Sequence, residues 1–359
     1  MVKITCVVGA RPNFMKIAAV TRELERRPHF SLRLVHTGQH YSPEMSESFF
    51  EDLEIPKPDI NLGLGGGSHT EQTAGIMLSL EREFQASRPD LVMVVGDVNS
   101  TMAAALVAAK LNIPIAHVEA GLRSFDRSMP EEINRLVTDV LSDFLFVSEP
   151  SGVENLVAEG VPRHKIHFVG NVMIDTLLRF QAKAAKSSVL ERNGLNPKGY
   201  AVVTLHRPSN VDDPSRLRAL IEMLETLAEH TPVVFPVHPR TQERVPAGKG
   251  ARKNLMLCPP LGYLDFIKLV SEARIVLTDS GGIQEEATIL RVPCLTLREN
   301  TERPVTIHQG TNRLVGTDPK CILDAAISAI REGPRQVPAP ELWDGRASTR
   351  IMDILERLA

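Results

Sequence analysis

Only four cysteines occur in the 359 residues, at 6, 258, 294 and 321, too few and too scattered for a disulfide framework and never in the C-x-x-C pairs of structural zinc. A reducing compartment, the cytoplasm, is therefore the expected location. With a single Trp and aromatic residues at 4%, the chain offers no stacking surface for single-stranded nucleic acid. Its 41 Lys and Arg against 44 Asp and Glu give a formal charge of −3, so there is no basic excess to hold nucleic acid or an anionic membrane. No apolar run approaches the ~20 residues that cross a bilayer. The first residues, Met1 to Gly9, read as a strand from the outset, without the regions of a signal peptide. A G-x-x-x-x-G-K-[ST] loop and a His-Glu-x-x-His pair are both missing, so neither triphosphatase nor metallohydrolase chemistry is expected, and no metal site is assigned.

What is present is a rhythm. Short β-branched runs recur, each followed by a helical pattern: Val2 to Val8, Leu32 to His36, Leu91 to Val95, Pro114 to Val118, Phe144 to Val147 and Ile166 to Val169. The second half repeats it with Ala201 to Leu205, Val233 to Val237, Leu255 to Cys258, Ile275 to Thr278 and Val292 to Thr296. Strands alternating with helices imply parallel sheets covered on both faces, so an α/β chain of two Rossmann-like, doubly wound domains is expected, of roughly 150 to 200 residues each. The turn-forming stretch around Asn193 to Pro197 places the hinge between Asn171 and Pro197. The expected domains are 1–172 and 173–345, with a C-terminal helix at 346–359 packing back across the junction.

In open parallel sheets, ligands bind beyond the carboxyl ends of the strands, and the unusual residues of this sequence gather there. Gly9-Ala10-Arg11-Pro12 follows the first strand, Gly96-Asp97 the third, Glu119-Ala120-Gly121-Leu122-Arg123 the fourth, His206-Arg207 the first of the second half, and Asp279-Ser280-Gly281-Gly282 a later one. In the last of these a strand gives way to a helix through two glycines, a seat for an anion at free N–H groups and the positive end of the helix dipole. Asp97 and Glu119 each end an apolar strand, where partial desolvation suits a carboxylate to general acid/base work. His117, two residues before Glu119, and His238 are lesser candidates. In the helix beginning at Pro130, the residues Ile133, Leu136, Val137, Val140 and Leu141 read as the buried stripe, which leaves Glu131 and Arg135 together on the opposite face. The Gly63-Leu64-Gly65-Gly66-Gly67 run neither follows a clear strand nor opens a helix at dinucleotide spacing, and reads as a loop.

These motifs, together with Lys16, Pro130-Glu131-Glu132-Ile133-Asn134-Arg135, Gly170-Asn171, Glu285-Glu286 and Thr301-Glu302-Arg303-Pro304, resemble the non-hydrolysing UDP-N-acetylglucosamine 2-epimerases from about residue 3 to about residue 318. The resemblance implies a two-domain fold of the GT-B type with domains facing across a cleft, usually a homodimer. It also implies a reaction that needs no metal or redox cofactor: UDP is eliminated to a 2-acetamidoglucal and added back with the opposite configuration at C2. Carried over by motif, Asp97, Glu119 and Glu131 form the acid/base set and His206 assists at the leaving phosphate. Arg11, Ser280, Gly281, Gly282 and Glu286 hold UDP, Glu286 through ribose hydroxyls, while Lys16 and Arg135 line the same cleft.

Two departures from the family pattern stand out. The loop after His206-Arg207 reads Pro208-Ser209-Asn210, where many relatives carry Glu before Asn. The segment Gln39-His40-Tyr41-Ser42-Pro43-Glu44-Met45 is longer than the form found in relatives that bind a second, activating UDP-sugar, and the stretch from Gly65 to Gln72 supplies no Arg to pair with its diphosphate. Gln39, His40 and Gln72 are the candidate regulatory contacts, and strong product activation is not expected. The same residues also suit a 2-epimerase of UDP-2,3-diacetamido-2,3-dideoxyglucuronate. A non-catalytic nucleotide-sugar sensor would need the seat at Ser280 but not the carboxylates.

Overall fold

The computed structural model describes residues 1–39, 49–237, 241, 244–245, 254–333 and 337–357. His40, the rest of the segment to 48, and His238 lie outside the described residues. The chain divides into two compact units, Met1–Arg179 with Glu341–Ala359, and Phe180–Pro340.

The first unit is a seven-stranded parallel sheet. Its strands are β1 (Val2–Val8), β2 (Phe30–His36), β3 (Ile60–Asn61), β4 (Leu91–Val95), β5 (Ile115–Ala120), β6 (Phe144–Val147) and β7 (Ile166–Phe168). They lie in the order β3-β2-β1-β4-β5-β6-β7. The second unit is a six-stranded parallel sheet of β8 (Ala201–Thr204), β9 (Val233–Pro236), β10 (Leu255–Cys258), β11 (Ile275–Thr278), β12 (Cys294–Thr296) and β13 (Asn312–Leu314), ordered β10-β9-β8-β11-β12-β13. Both sheets reverse direction of growth beside their first strand, as doubly wound sheets do.

Each sheet is covered on both faces, which is why its strands read as unbroken apolar runs. β4 and β5 are buried at every position. In the second unit Ala201 and Val203 point into one apolar layer with Leu217, Leu220 and Phe235, while Val202, next to the buried Tyr200, joins the other with Val234, Val270 and Val276. The strand period of two thus feeds two cores at once.

The terminal helix Ala347–Glu356 belongs to the first unit. The buried Asp175 carboxylate accepts from Ala347 N (3.0 Å), Ser348 N (2.7 Å) and the Ser348 hydroxyl (2.6 Å), satisfying the first turn of a helix that begins 172 residues later. Trp343 Nε1 donates to Ser148 O at 2.8 Å, and Arg27 pairs with Asp353 and Glu356. The unit boundaries therefore fall at 179/180 and 340/341, where the sequence suggested 172/173 and 345/346.

The glycine run at 63–67 lies between β3 and the helix His69–Ala86, which opens with a capping box of Ser68 and Glu71. β3 and β13, two and three residues long with Asn61, Asn312 and Arg313 among them, are too short and polar to show a period. Among the described residues no helix is long and apolar enough to cross a membrane.

Candidate active site

In the first unit, the strand ends are tied together by polar side chains. Asn13, near the start of the helix Arg11–Glu25, accepts from Gly9 N (3.1 Å) and Ala10 N (3.2 Å) and donates to Val95 O (2.8 Å), fixing the turn after β1 to the end of β4. One turn on, Lys16 donates to Glu119 Oε1 at 2.7 Å, with both side chains almost fully buried. Glu119 sits at φ +74°, where the β5–β6 register shifts between Val118 and Ala120. A non-glycine residue held in this left-handed region is strained, and such strain concentrates at functional sites. Gly96 is required by the same cluster, because a Cβ there would meet Lys16 Nζ at 2.6 Å.

Asp97 lies beside this pair at the end of β4. Its backbone carbonyl accepts from Asn134 Nδ2 (2.9 Å), and its carboxylate is 3.6 Å from Arg135 Nη2. It does not cap the next helix, whose N-cap is Val98. Arg135 is buried between Asp97 and Glu132, 3.4 Å from the latter, with no guanidinium nitrogen in hydrogen-bond geometry. Arg11 is partly exposed, stacked 4.5 Å over the Phe49 ring.

The helix Pro130–Leu141 corrects the sequence reading. Its buried residues are Glu132, Asn134, Arg135, Thr138 and Asp139, while Ile133 is 36% and Val140 74% exposed. The polar side is the inward one because it has partners. Glu132 accepts from Ser124 N, the Ser124 hydroxyl and Phe125 N, and Asp139 accepts from Gly121 N and from Arg123. Satisfied buried polar groups here override the amphipathic pattern. Glu131 is half-buried. Asp139 is the residue that sequence reasoning missed, and its one signal was a carboxylate four residues after Arg135.

Of the candidate regulatory side chains, Gln39 and Gln72 are engaged within the first unit. Gln39 Oε1 accepts from Ser100 N (3.0 Å) and the Ser100 hydroxyl (2.7 Å), serving the helix Asn99–Lys110 as a cap. Gln72 Nε2 donates to Gln39 O, and Gln72 Oε1 accepts from Asn99 Nδ2 at 2.7 Å. Arg123 is buried, gripping Asp139 and both oxygens of Glu159.

In the second unit the centre is Asp279, fully buried at the end of β11. It accepts from the backbone N of His206 (3.1 Å) and of Arg207 (3.0 Å) and from Asn210 Nδ2 (3.0 Å), and its Oδ1 lies 2.8 Å from His206 Nδ1. His206 is 61% exposed at its side chain, so Asp279 orients the imidazole and leaves its far edge open. Burial alone would push the Asp279 carboxyl up, but His206 and the hydrogen bonds from Asn210 and Arg207 outweigh it and hold the group below the usual carboxylate range. A carboxyl depressed on folding stabilises the protein above its unfolded value of 3.8, and that contribution is lost as pH falls through the folded value. Asp279→Asn is therefore expected to flatten the fall of melting temperature as the pH drops below 3.8; an acid limb as steep as that of the unaltered protein would show that Asp279 contributes nothing to it.

Ser280 is the N-cap of the helix Gly281–Leu290, with no side-chain cap bond of its own. Gly281 has a structural reason to be glycine, since a Cβ would meet Arg303 Nη1 at 2.5 Å and Glu302 Oε1 at 2.8 Å. Arg303 bonds Glu285 (2.8 Å) and Glu302 (2.6 Å), Arg298 reaches Glu302 at 2.9 Å, and Arg207 lies 3.8 Å from it. With Asp279 counted, these three guanidinium groups are matched by three carboxylates, so what suits this turn to a phosphate is the free N–H groups and dipole of the helix N-terminus. The roles of Glu285, Glu302 and Arg303 in this network were invisible in sequence because the pairing brings together distant segments. Gly282 is partly exposed on the first turn, and Glu286 is buried one turn on, accepting from the Tyr263 hydroxyl at 3.2 Å. Among the described residues no group of three or more His, Cys, Asp or Glu is placed to hold a metal ion.

The model of the UDP-N-acetylglucosamine 2-epimerase family matches residues 22–356. A UDP-N-acetylglucosamine 2-epimerase of Methanocaldococcus jannaschii is 41% identical over 364 residues, covering 98% of each chain. A UDP-2,3-diacetamido-2,3-dideoxy-D-glucuronate 2-epimerase of Pseudomonas aeruginosa is also 41% identical, over 99% of this chain and 100% of its own. The crystal structure of the Methanocaldococcus jannaschii UDP-GlcNAc 2-epimerase in complex with UDP-GlcNAc and UDP superposes with a TM-score of 0.92 at 40% identity, covering 99% of both chains. With two doubly wound sheets, a family match over nearly its whole length and relatives of equal extent, this chain belongs to the UDP-N-acetylglucosamine 2-epimerase family.

Proposed function

We propose that this protein interconverts UDP-N-acetylglucosamine and UDP-N-acetylmannosamine by elimination and re-addition of UDP. The observation that carries the reading is the pair Asp97 and Glu119 at the ends of adjacent strands, one beside a guanidinium and the other bonded to an ammonium. The C2 proton of the sugar has no neighbouring carbonyl to acidify it, so a carboxylate takes it while the C1–O bond to UDP breaks and its electron pair leaves with UDP. C1 and C2 become doubly bonded, a second carboxyl group returns a proton to the opposite face of C2, and the UDP oxygen adds back to C1. Asp97, Glu119 and the half-buried Glu131 form the acid/base set, with Lys16 and Arg135 as their fixed cations. Charge developing on departing UDP is met by His206, Arg11 and the helix N-terminus at Ser280, Gly281 and Gly282, and Glu286 serves the ribose.

The Pseudomonas aeruginosa relative supports a second reading, the same chemistry on UDP-2,3-diacetamido-2,3-dideoxyglucuronate. Incubation with each substrate, followed by NMR of the sugar anomeric protons, decides between them. Formation of UDP-N-acetylmannosamine is expected; conversion of the glucuronate alone would replace the first reading with the second, and UDP binding without conversion of either would make the protein a sensor.

The exposed apolar side of Pro130–Leu141, with Leu78 on the helix His69–Ala86 packed two helices away, supports a homodimer formed through this face. Val140→Glu is expected to give a monomer in light scattering at micromolar concentration, and an unaltered protein that is already monomeric would contradict it. Four free thiols, two of them buried, fit an enzyme of the cytoplasm. Because Gln39 and Gln72 are committed to internal bonds, progress curves begun from pure UDP-N-acetylmannosamine should be linear from the start. A lag removed by trace UDP-N-acetylglucosamine would show strong product activation instead.

A further inference from the structure

We infer that His117, with Asp139 behind it, is a positioning residue whose ring donates from both nitrogens and so fixes the two turns that carry Asp97 and Glu119. The inference rests on the proposed reading of those two carboxylates as the acid/base pair. His117 lies on β5 with its side chain fully buried, and it touches no exposed surface through which substrate would reach it. Its Nε2 is 2.8 Å from Gly96 O and its Nδ1 is 2.6 Å from Asp139 Oδ1.

A backbone carbonyl can only accept a hydrogen bond, so Nε2 carries a proton. The carboxylate of Asp139 also accepts from Gly121 N at 3.0 Å and from Arg123 Nη1 at 2.7 Å. Independently of the ring, the buried Arg123 guanidinium and the Gly121 N–H both lie on this carboxylate and favour its ionised form. An ionised carboxylate has no proton to give, so Nδ1 carries one as well. The charged groups linked to the ring are Asp139 from the helix Pro130–Leu141, then Arg123 from the segment after β5, paired with Asp139, and then Glu159 at the C-cap of the helix Pro150–Ala158, whose two oxygens each lie 2.7 Å from Arg123. Two cations and two anions then balance within the cluster, with the solvent-facing Glu159 at its outer end.

The consequence is geometric. Gly96, at φ +67°, is the residue between β4 and Asp97, and its carbonyl is held by His117 Nε2. Gly121, at φ +80°, closes the turn after Glu119, and its N–H is held by Asp139. One imidazole–carboxylate pair therefore anchors both turns, Gly96 through its carbonyl, beyond the bond its N–H makes to Val118 O at 3.0 Å, and Gly121 through its N–H. Displacing a reacting group by about 1 Å costs on the order of a hundredfold in rate, which sets the scale expected for its loss.

Two measurements test this on the intact protein. The first is ¹⁵N NMR of histidine-labelled protein at neutral pH: His117, assigned by the signals lost in His117→Gln, should show two protonated ring nitrogens, and Asp139→Asn should convert one of them to a bare nitrogen. A ring with one protonated and one bare nitrogen in the unaltered protein would overturn the inference, whatever the enzyme turns over. The second is the kinetics of His117→Gln, whose amide cannot donate to both acceptors. Turnover should fall about 10- to 100-fold with KM and UDP affinity nearly unchanged, since none of the groups proposed to meet UDP is bonded to His117. Unchanged turnover, or a change confined to KM, would overturn it; if His117→Gln does not fold, the ring signal that moves in Asp139→Asn assigns His117, and its state in the unaltered protein decides. Failure of the acid/base reading itself shows separately, as full turnover in Asp97→Asn.

Discussion

Asp97→Asn should lower turnover of UDP-N-acetylglucosamine by about two orders of magnitude or more, the usual scale for loss of a general acid or base, while the protein folds and binds UDP nearly as before. The expectation follows from how Asp97 is used. The fold engages its backbone carbonyl, through Asn134, and its carboxylate is partly exposed, 3.6 Å from Arg135. The amide keeps the size and the backbone bond but neither takes nor returns a proton. The groups proposed to hold UDP, Arg11, Ser280, Gly281, Gly282 and Glu286, do not include Asp97, so binding of UDP should survive. Turnover within about threefold of the unaltered protein would remove Asp97 from the acid/base set.

Lys16→Met should strongly destabilise the first unit. Lys16 and Glu119 are both almost fully buried at 2.7 Å, and removing one partner of such a pair leaves a desolvated charge, at a cost of about 3–5 kcal/mol. The remaining carboxylate is also the one held at φ +74°, so its environment cannot relax by a simple rotation of the backbone. Urea unfolding measures the loss. The double substitution Lys16→Met with Glu119→Gln should recover most of the stability, because the buried carboxylate charge is removed together with its ammonium partner, yet remain inactive. A loss below about 1 kcal/mol in the single variant would mean that the pair contributes little, as exposed pairs do.

The parts of the fold that were legible in sequence are those set by local pattern. Unbroken apolar runs such as Leu91 to Val95 and Ile275 to Thr278 became strands at the same residues, because a sheet covered on both faces demands apolar side chains at every position. The strand-end rule also gathered Asp97, Glu119, His206 and Ser280 correctly at the carboxyl ends of their strands. Facing direction was less legible where polar groups are buried. The helix Pro130–Leu141 has a clean apolar stripe, and a rule that buries apolar residues turns it the wrong way round. Partners for Glu132 and Asp139 come from Gly121, Arg123, Ser124 and Phe125 in the segment just before the helix and from His117 on β5, and only the folding of that segment back onto the helix explains why the polar face points inward.

The ion networks were hidden for the same reason. Lys16 and Glu119 are 103 residues apart, and nothing in either neighbourhood names the other. Gly281 reads as a ligand-facing glycine but is small because Arg303 lies over it. In each case the sequence carries the residue and the tertiary structure carries its reason.

The central claim, that carboxylates of the first unit move a proton at C2 of a UDP-sugar, is tested most directly by hydrogen exchange. The folded protein is incubated with UDP-N-acetylglucosamine in D₂O, and the sugar is examined by mass and proton NMR before equilibrium is reached. Deuterium should enter C2 as UDP-N-acetylmannosamine forms, and Asp97→Asn should suppress both together. UDP-N-acetylmannosamine formed without deuterium at C2, or no exchange at all by folded protein, would contradict the account.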